Sequence, residues 1–425
     1  MRDVRMRGFR RRTALEDAVR VLEERGRVLA AERVGIRASG GRVAAEDILA
    51  HASVPHFDRA AMDGYAVVGE STFGATTYAP VALRVVGEAR PGRRYPGAIA
   101  LGEAVRITTG APIPSGADAV LMVENTVESE GGAIVHVSEA IAPGKHVGRI
   151  GEDVLAGSTV VKRGRRLRAQ DVGLLASVGT AEVSVVRRPS VRILITGDEL
   201  LPPGSRPEGA QIVDSNSVML AELTQRDGAA PPTIVYVEDQ RAAVREAIAS
   251  ASEDVVLISG GSSVGPEDHA PLVLAEIGEL TVHGVAMRPS SPAGFGFVGA
   301  ERSRPVFLLP GNPVSCLCAY EFFAGPTLRA LGGLPRAWPH RRLRAAVAGK
   351  IVSELGRTDY VRVHVEGHSL EGTAPGDPLP RVKSIMTSGA SILSSTTRAD
   401  GVVIVPSAHE GYGEGEIVDV LLYDG

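Results

Sequence analysis

The residues best suited to chemistry lie in three loops, each following a short apolar run. They are Thr196-Gly197-Asp198-Glu199-Leu200, the stretch from Ser259-Gly260-Gly261 through Ser263 and Gly265 to Glu267-Asp268, and Pro310-Gly311-Asn312-Pro313. The middle loop has the composition of an oxyanion cradle. Its glycines let backbone N–H groups approach a phosphate, its hydroxyls add donors, and a helix starting behind it adds a favourable dipole. The carboxylates of Asp198, Glu199, Glu267 and Asp268 repel a bare phosphate. They fit one if a divalent cation such as Mg²⁺ bridges acid and phosphate. The alternative is that glycine-rich turns merely close the connections, and three such loops in one region weigh against it.

Three further segments carry polar residues at close spacing. In Val54–Ala66, Asp63 stands beside Gly64 among small residues. An acid there can be held close to a ligand, although an Asp-Gly hairpin turn is the simpler reading. Arg106–Pro114, which contains Thr109, and Gly148–Asp153 read from composition alone as ordinary polar loops. The ten histidines are scattered and are not read as a metal site. No P-loop occurs, and Ser290 and Ser291 beside Pro292 read as loop residues rather than nucleophiles. The two cysteines, Cys316 and Cys318, are two apart in an apolar run, a spacing that rarely allows a disulfide. A reducing cytoplasm is the simplest setting for them.

The elements that must position these loops follow from periodicity. Thr13 and Glu16 have capping-box spacing ahead of Leu15, Ala18, Val19 and Leu22, which predicts a helix near the start. From about 51 to 139, short apolar runs cut by Gly and Pro predict a small β domain. On either side of it, residues 1–50 and 140–188 mix helix and strand. From 189 to 335 strands and helices alternate. Runs at Val191–Thr196, Thr233–Val237, Val255–Ile258 and Pro305–Leu309 read as buried strands. Helices are predicted at about 215–227, after an Asp239 N-cap, and over Val314–Leu331. That alternation implies a doubly wound, mainly parallel sheet, whose ligands bind beyond the carboxyl ends of the strands. Residues 336–425 return to short, turn-rich strands and predict a C-terminal β domain.

Composition narrows the function classes. The chain has 425 residues, 44% hydrophobic and 23% charged, with a net charge of −4. It is a multidomain globular α/β-plus-β protein rather than a disordered one. Six arginines fall in the first twelve residues, but no apolar segment of a secretory signal follows. Elsewhere no basic stripe appears, so nucleic acid is not an expected partner. No apolar run reaches the roughly 18 residues of a membrane span. Fifty glycines and 4% aromatics suit small-ligand loops more than base stacking.

Seven blocks occur in a fixed order: F-D-x-x-A-M-D-G-Y-A at 57–66, R-I-x-T-G-A-P-x-P at 106–114, G-E-D at 151–153, T-G-D-E-L at 196–200, D-S-N at 214–216, S-G-G-x-S-V-G at 259–265 with Asp268, and L-P-G-N-P-V-S at 309–315. Together they resemble the molybdopterin molybdenumtransferase family, which includes the C-terminal part of gephyrin. The resemblance covers essentially the whole chain after residue 12. It implies four domains, among them an elongated helix-and-strand domain of 1–50 and 140–188 with the small β domain of 51–139 inserted in it and a barrel-like last domain, in an elongated homodimer with a cleft between subunits. Adenylylated molybdopterin and molybdate would be the substrates, Mg²⁺ the cofactor, and a molybdopterin adenylyltransferase a partner.

By resemblance, Asp63, Asp153, Glu199, Asp239 and Asp268 serve pterin binding, metal binding or catalysis, with Thr109. Glu199 and Asp268 would hold Mg²⁺, and the loops at Gly197–Asp198, Ser259–Gly265 and Pro310–Pro313 would hold the substrate. For the oxyanion, the family often has K-P-G-K-P where this chain has Arg288-Pro289-Ser290-Ser291-Pro292, so Ser291 removes a cation. Arg357 and Ser391 match an arginine and a serine that approach the anion in the family. Two alternatives stay open on the same fold: pterin adenylylation, and a non-catalytic scaffold of the kind gephyrin provides.

Overall fold

The apolar run Val191–Thr196 becomes the second strand of a six-stranded sheet. The strand order is Thr233–Val237, Val191–Thr196, Val255–Ser259, Arg304–Leu309, Gly294–Val298 and Glu279–His283. The first four are mutually parallel; Gly294–Val298 runs against them, and Glu279–His283, paired antiparallel to it, closes that end of the sheet. The sheet belongs to a computed structural model that describes residues 12–261, 268–367, 379–386 and 389–423. The arginine-rich start (1–11) and the candidate residues Ser263 and Gly265 lie outside the described residues.

The chain forms two compact units, one of Met1–Glu32 with Val186–Gly425 and the other of Arg33–Val185. In the first, both faces of the sheet are covered. One face packs Ile193, Ile195, Val255, Leu257, Phe295 and Phe307 against Leu15, Leu220, Phe323 and Leu328 from helices. The other packs Leu194, Val256 and Ile258 against Val244, Ile248 and Leu274 of helices Arg241–Ala249 and Ala270–Ile277. Burial on both faces is why these strands read as unbroken apolar runs. Each buried Phe or Leu contributes roughly 1.5–3 kcal/mol.

The remainder of this unit is a closed five-stranded barrel: Thr358–Glu366, Arg381–Met386, Arg341–Val347, Ile417–Leu422 and Gly401–Val405, the last pairing back to the first. Its interior holds Ala345, Val347, Val361, Val363, Val403 and Val420. The short strand Met287–Arg288 pairs in parallel with Thr358 and Asp359, so the two substructures share backbone hydrogen bonding.

Three local expectations are corrected. Helix Leu15–Glu24 starts without a side-chain cap, because Thr13 instead makes a parallel bridge to Val285. Gln240, not Asp239, is the N-cap of Arg241–Ala249, and the Asp239 N–H is turned to the Asp198 carboxylate at 3.1 Å. The predicted helix 314–331 is Pro313–Ala319 and Gly325–Leu331 joined by a π-helical turn, Tyr320–Ala324.

In the Arg33–Val185 unit the strands Ala119–Met122, Gly64–Val67, Glu103–Ile107, Val81–Ala89, Ile134–Val137 and Thr126–Ser129 form a second six-stranded sheet in that order. Asp63-Gly64 is not a hairpin turn. Gly64 opens a strand flanked on both sides, at φ +150°, and a Cβ there would lie 1.9 Å from the Leu121 carbonyl oxygen. Only glycine permits that approach. Among the described residues no helix is long and apolar enough to cross a membrane.

Candidate functional site

A cleft of about 700 Å³ opens at the carboxyl ends of the parallel strands. The three loops singled out by composition meet there. Gly197, Glu199, Asp239, Ser259, Gly260, Gly261, Asp268, Pro310, Gly311, Asn312, Pro313 and Ser391 all line it. Asp198 is drawn alongside through its bond to the Asp239 N–H.

What holds the loops in register is Asn216, at the start of helix Asn216–Arg226. Its amide nitrogen donates to Ser259 Oγ at 2.9 Å and to the Gly311 carbonyl at 2.8 Å. Asp214 fixes the helix start in turn, accepting from the Asn216 and Ser217 N–H groups and the Tyr236 hydroxyl. Gly260 makes the turn over the strand end: its φ is +94°, and a Cβ would meet the Thr196 carbonyl oxygen at 2.3 Å. Cys316 and Cys318 are free and buried beneath this region, and burial pushes the Cys316 thiol up to about 12, so neither is poised as a nucleophile.

A second cavity, about 370 Å³, shares Pro292, Pro310 and Asn312 with the cleft. Arg12, Arg288, Arg357 and Arg362 line it, with Ser290, Ser291, Ser315 and Asp359. Several buried polar atoms at its wall have no hydrogen-bond partner: the hydroxyls of Ser290 and Ser291 and the Nε and Nη2 of Arg357. Buried donors are normally satisfied, so a wall of unused N–H and O–H groups is built for an acceptor-rich guest. Ser391 lines the larger cleft; its neighbours Gly389 and Ala390 line this cavity.

The Arg33–Val185 unit assembles the remaining candidates. Asp63 Oδ1 accepts from the Thr109 N–H at 2.6 Å and from its hydroxyl at 2.8 Å. These two bonds hold the Asp63 carboxyl below the usual carboxylate range. The three blocks of this unit are stitched together by backbone. Gly110 N–H donates to the Ala60 carbonyl, Ile113 N–H to Asp58, and Asp153 N–H to Val54. Asp58 also accepts from the Ile150 N–H and from Arg149. Asp63, Thr109 and Asp153 are all exposed.

Comparison with known proteins covers both units. Residues 13–179 match the MoeA N-terminal region (domain I and II), 192–330 the probable molybdopterin binding domain, and 344–423 the MoeA C-terminal region (domain IV). Molybdopterin molybdenumtransferase 2 of Mycobacterium tuberculosis is 37% identical over 363 residues, covering 82% of this chain and 87% of that one. The chain belongs to the molybdopterin molybdenumtransferase family. Molybdopterin molybdenumtransferase of Bacillus subtilis is 34% identical, covering 92% and 89% of the two chains. The molybdopterin biosynthesis MoeA protein of Pyrococcus horikoshii superposes with a TM-score of 0.80 at 34% identity, over 98% of this chain and all of that one.

Set against this family of transferases, the sequence reading missed four residues. Asn216 stood only as part of a marker block, since its role depends on two loops distant in sequence. Ser290 was set aside as a loop residue. Arg12 belonged to an apparently featureless cationic start. Arg362 sits between Val361 and Val363 in a strand that also carries Thr358, Asp359, His364 and Glu366, so it did not stand out.

For Mg²⁺, the donor set fits in one way. Among the described residues no three His, Cys, Asp or Glu side chains cluster closely enough to hold a metal alone. Glu199 and Asp268 line the same cleft. Mg²⁺ is commonly bound by one or two carboxylates together with substrate phosphates.

Proposed function

We propose that this chain inserts molybdate into adenylylated molybdopterin and releases AMP. The observation that carries the reading is the pairing of two adjoining spaces. A large cleft at the strand ends is edged by glycine loops and acids, and an arginine- and hydroxyl-lined cavity shares its wall. The first has the chemistry for a pyrophosphate-linked nucleotide and the second for a tetrahedral oxyanion.

In this reading the Gly260–Gly261 turn lets the backbone approach the phosphate oxygens, with the Gly261 N–H as donor, since the Gly260 N–H is bonded to the Leu309 carbonyl. Glu199 and Asp268 would hold Mg²⁺ in the cleft, with Asp239 and Asp198 beside them. Bound there, Mg²⁺ supplies charge neutralisation for the departing AMP. Gly311, Asn312 and Pro313 bound the cleft on the side of the anion cavity. Arg288, Arg357 and Arg362 orient molybdate electrostatically, and Ser290 and Ser291 donate to its oxygens, which offsets the cation lost at Ser291. Ser391 stands where the two spaces meet. Asp63, kept ionised by Thr109, and Asp153 orient a water or the pterin; the family resemblance assigns them to the partner subunit of a homodimer. The same resemblance supports the four-domain division, a cytoplasmic setting and a molybdopterin adenylyltransferase as the supplier of substrate.

The test is AMP release from adenylylated molybdopterin with Mg²⁺, with and without molybdate. Molybdate-stimulated AMP release together with activation of a molybdenum-free apoenzyme is the expected result. Adenylate formation from ATP and pterin, with no consumption of the adenylate, would overturn it.

A further inference from the structure

Asp359 is the anomaly of the arginine-lined cavity. It is 1% exposed and lies on the wall of a space whose other charged residues are cations. Its Oδ2 accepts from Arg288 Nη2 and, at 2.8 Å, from Ser353 Oγ. Its Oδ1 lies 3.2 Å from Arg357 Nε, off the hydrogen-bonding direction. The strand pairing Arg288↔Asp359 fixes this arrangement in the backbone. One buried carboxylate therefore faces two of the cavity's four guanidinium groups. Glu354 pairs with Arg357 from outside at 2.8 Å. Against four lining arginines, the single lining carboxylate leaves a positive surplus that Asp359 lowers by one unit and that favours a tetrahedral dianion over a monoanion.

We infer that Asp359 is a positioning residue that sets the charge of the oxyanion cavity, matching it to a dianion while keeping that dianion releasable. The inference rests on the reading of this cavity as the molybdate site. Without Asp359 the cavity would attract any tetrahedral anion more strongly, and a dianion twice as steeply as a monoanion, because Coulomb energy scales with ligand charge. A cargo that must be handed to a second substrate next door is poorly served by the tightest possible binding. The hydroxyls of Ser290, Ser291 and Ser315 then supply directional contacts without adding charge.

The experiment compares molybdate with perrhenate, a tetrahedral monoanion of similar size, by calorimetric titration of the full chain. D359N keeps an oxygen for Ser353 and Arg288 but removes the charge. The ratio of molybdate to perrhenate affinity is expected to rise at least about tenfold, with kcat and the KM for molybdate falling together. R288Q should lower the ratio. The double variant D359N/R288Q, which removes one charge of each sign and so keeps the net charge of the cavity, should return it to within about threefold of wild type. A purely structural Asp359 would weaken both anions equally; an unchanged ratio in D359N, or a double variant no better than R288Q, overturns the proposal. Absence of molybdate binding by the wild-type chain overturns the cavity's assignment itself, and the charge-setting role with it.

Discussion

Asp63 and Thr109 are joined twice, through the backbone N–H and the hydroxyl of the threonine, both onto the same carboxylate oxygen. The second oxygen of Asp63 is left for another partner. Because both donors stabilise the charged form, Asp63 stays ionised to lower pH than an ordinary aspartate. In the proposed mechanism that suits a base or an orienting acceptor rather than a proton donor. In D63N, nucleotide affinity should persist while AMP release falls roughly 10²-fold, the scale of a lost general base. Single-turnover AMP release beside equilibrium nucleotide binding checks this; wild-type turnover in D63N would remove Asp63 from the mechanism.

The same pair gives a pH prediction. Thr109→Val deletes the hydroxyl but keeps the N–H. The Asp63 carboxyl then rises toward its usual range, so activity that depends on the carboxylate is lost at a higher pH on acidification. The acid limb of the kcat profile should move upward in the variant, with the alkaline limb unchanged. An acid limb that stays in place would mean another group governs it.

Gly260 and Gly311 form a matched pair of controls. A methyl at Gly260 collides with the Thr196 carbonyl at a φ that L-residues avoid, whereas at Gly311 the nearest atom is 3.6 Å away. Gly260→Ala should cost roughly 1–3 kcal/mol of local strain and most of the nucleotide affinity. Gly311→Ala should change either by little. Thermal melts and nucleotide titration of the two variants read the difference.

How much of this was legible beforehand depended on whether the cause was local. The parallel strands were visible because burial on both faces makes continuous apolar runs of Val191–Thr196 and Val255–Ser259. The glycine loops were visible because a tight turn over a strand end demands glycine, as the positive φ of Gly260 against the Thr196 carbonyl shows. The cap at Asp239 misled because its N–H is taken by Asp198 on a neighbouring loop, a tertiary preference that local helix signals do not carry. Asn216, Arg362 and Asp359 were not ranked for a different reason. Their work lies between segments dozens of residues apart, and nothing in D-S-N or T-D-Y-V-R announces which loop or strand will face them. The acids of the Arg33–Val185 unit lie between: composition left them as plain loops, and only the ordered set of motifs singled them out.

Asn216 therefore makes a sharp test of the cleft. Asn216→Ala removes the donor to Ser259 and to the Gly311 carbonyl and leaves that carbonyl unsatisfied near a buried position, at a cost of roughly 1–3 kcal/mol. The two glycine loops lose their common anchor, so nucleotide affinity should drop about tenfold or more. Molybdate affinity should hold, because no residue of the arginine-lined cavity is bonded to Asn216 in the described structure. Equal loss of both ligands would show that the two spaces are not independently built.

The most costly change in the sheet-and-barrel unit should fall in a buried ion cluster that lines neither space. Arg226 spans Glu321 at 2.7 Å and Asp227 at 2.9 Å, and Arg329 meets Asp227 at 2.6 Å, with both carboxylates essentially inaccessible. His340 faces Glu321 Oε1 at 3.4 Å through one ring nitrogen and the Leu422 carbonyl at 3.0 Å through the other, tying the π-turn to the barrel. Burial by itself raises the Glu321 carboxyl; hydrogen bonds from His340 and Arg226 outweigh it and leave the group below its usual range. A carboxyl depressed in the folded state stabilises above its unfolded pKa, and that contribution is lost as pH falls through the folded value. Glu321→Ala strands buried Arg226 and His340 and should cost roughly 3–5 kcal/mol. It should also flatten the acid side of the stability profile relative to wild type. Denaturant titrations at pH 7 and at about pH 4 measure both effects, and a loss of stability that is the same at the two pH values would show that Glu321 acts through packing rather than charge.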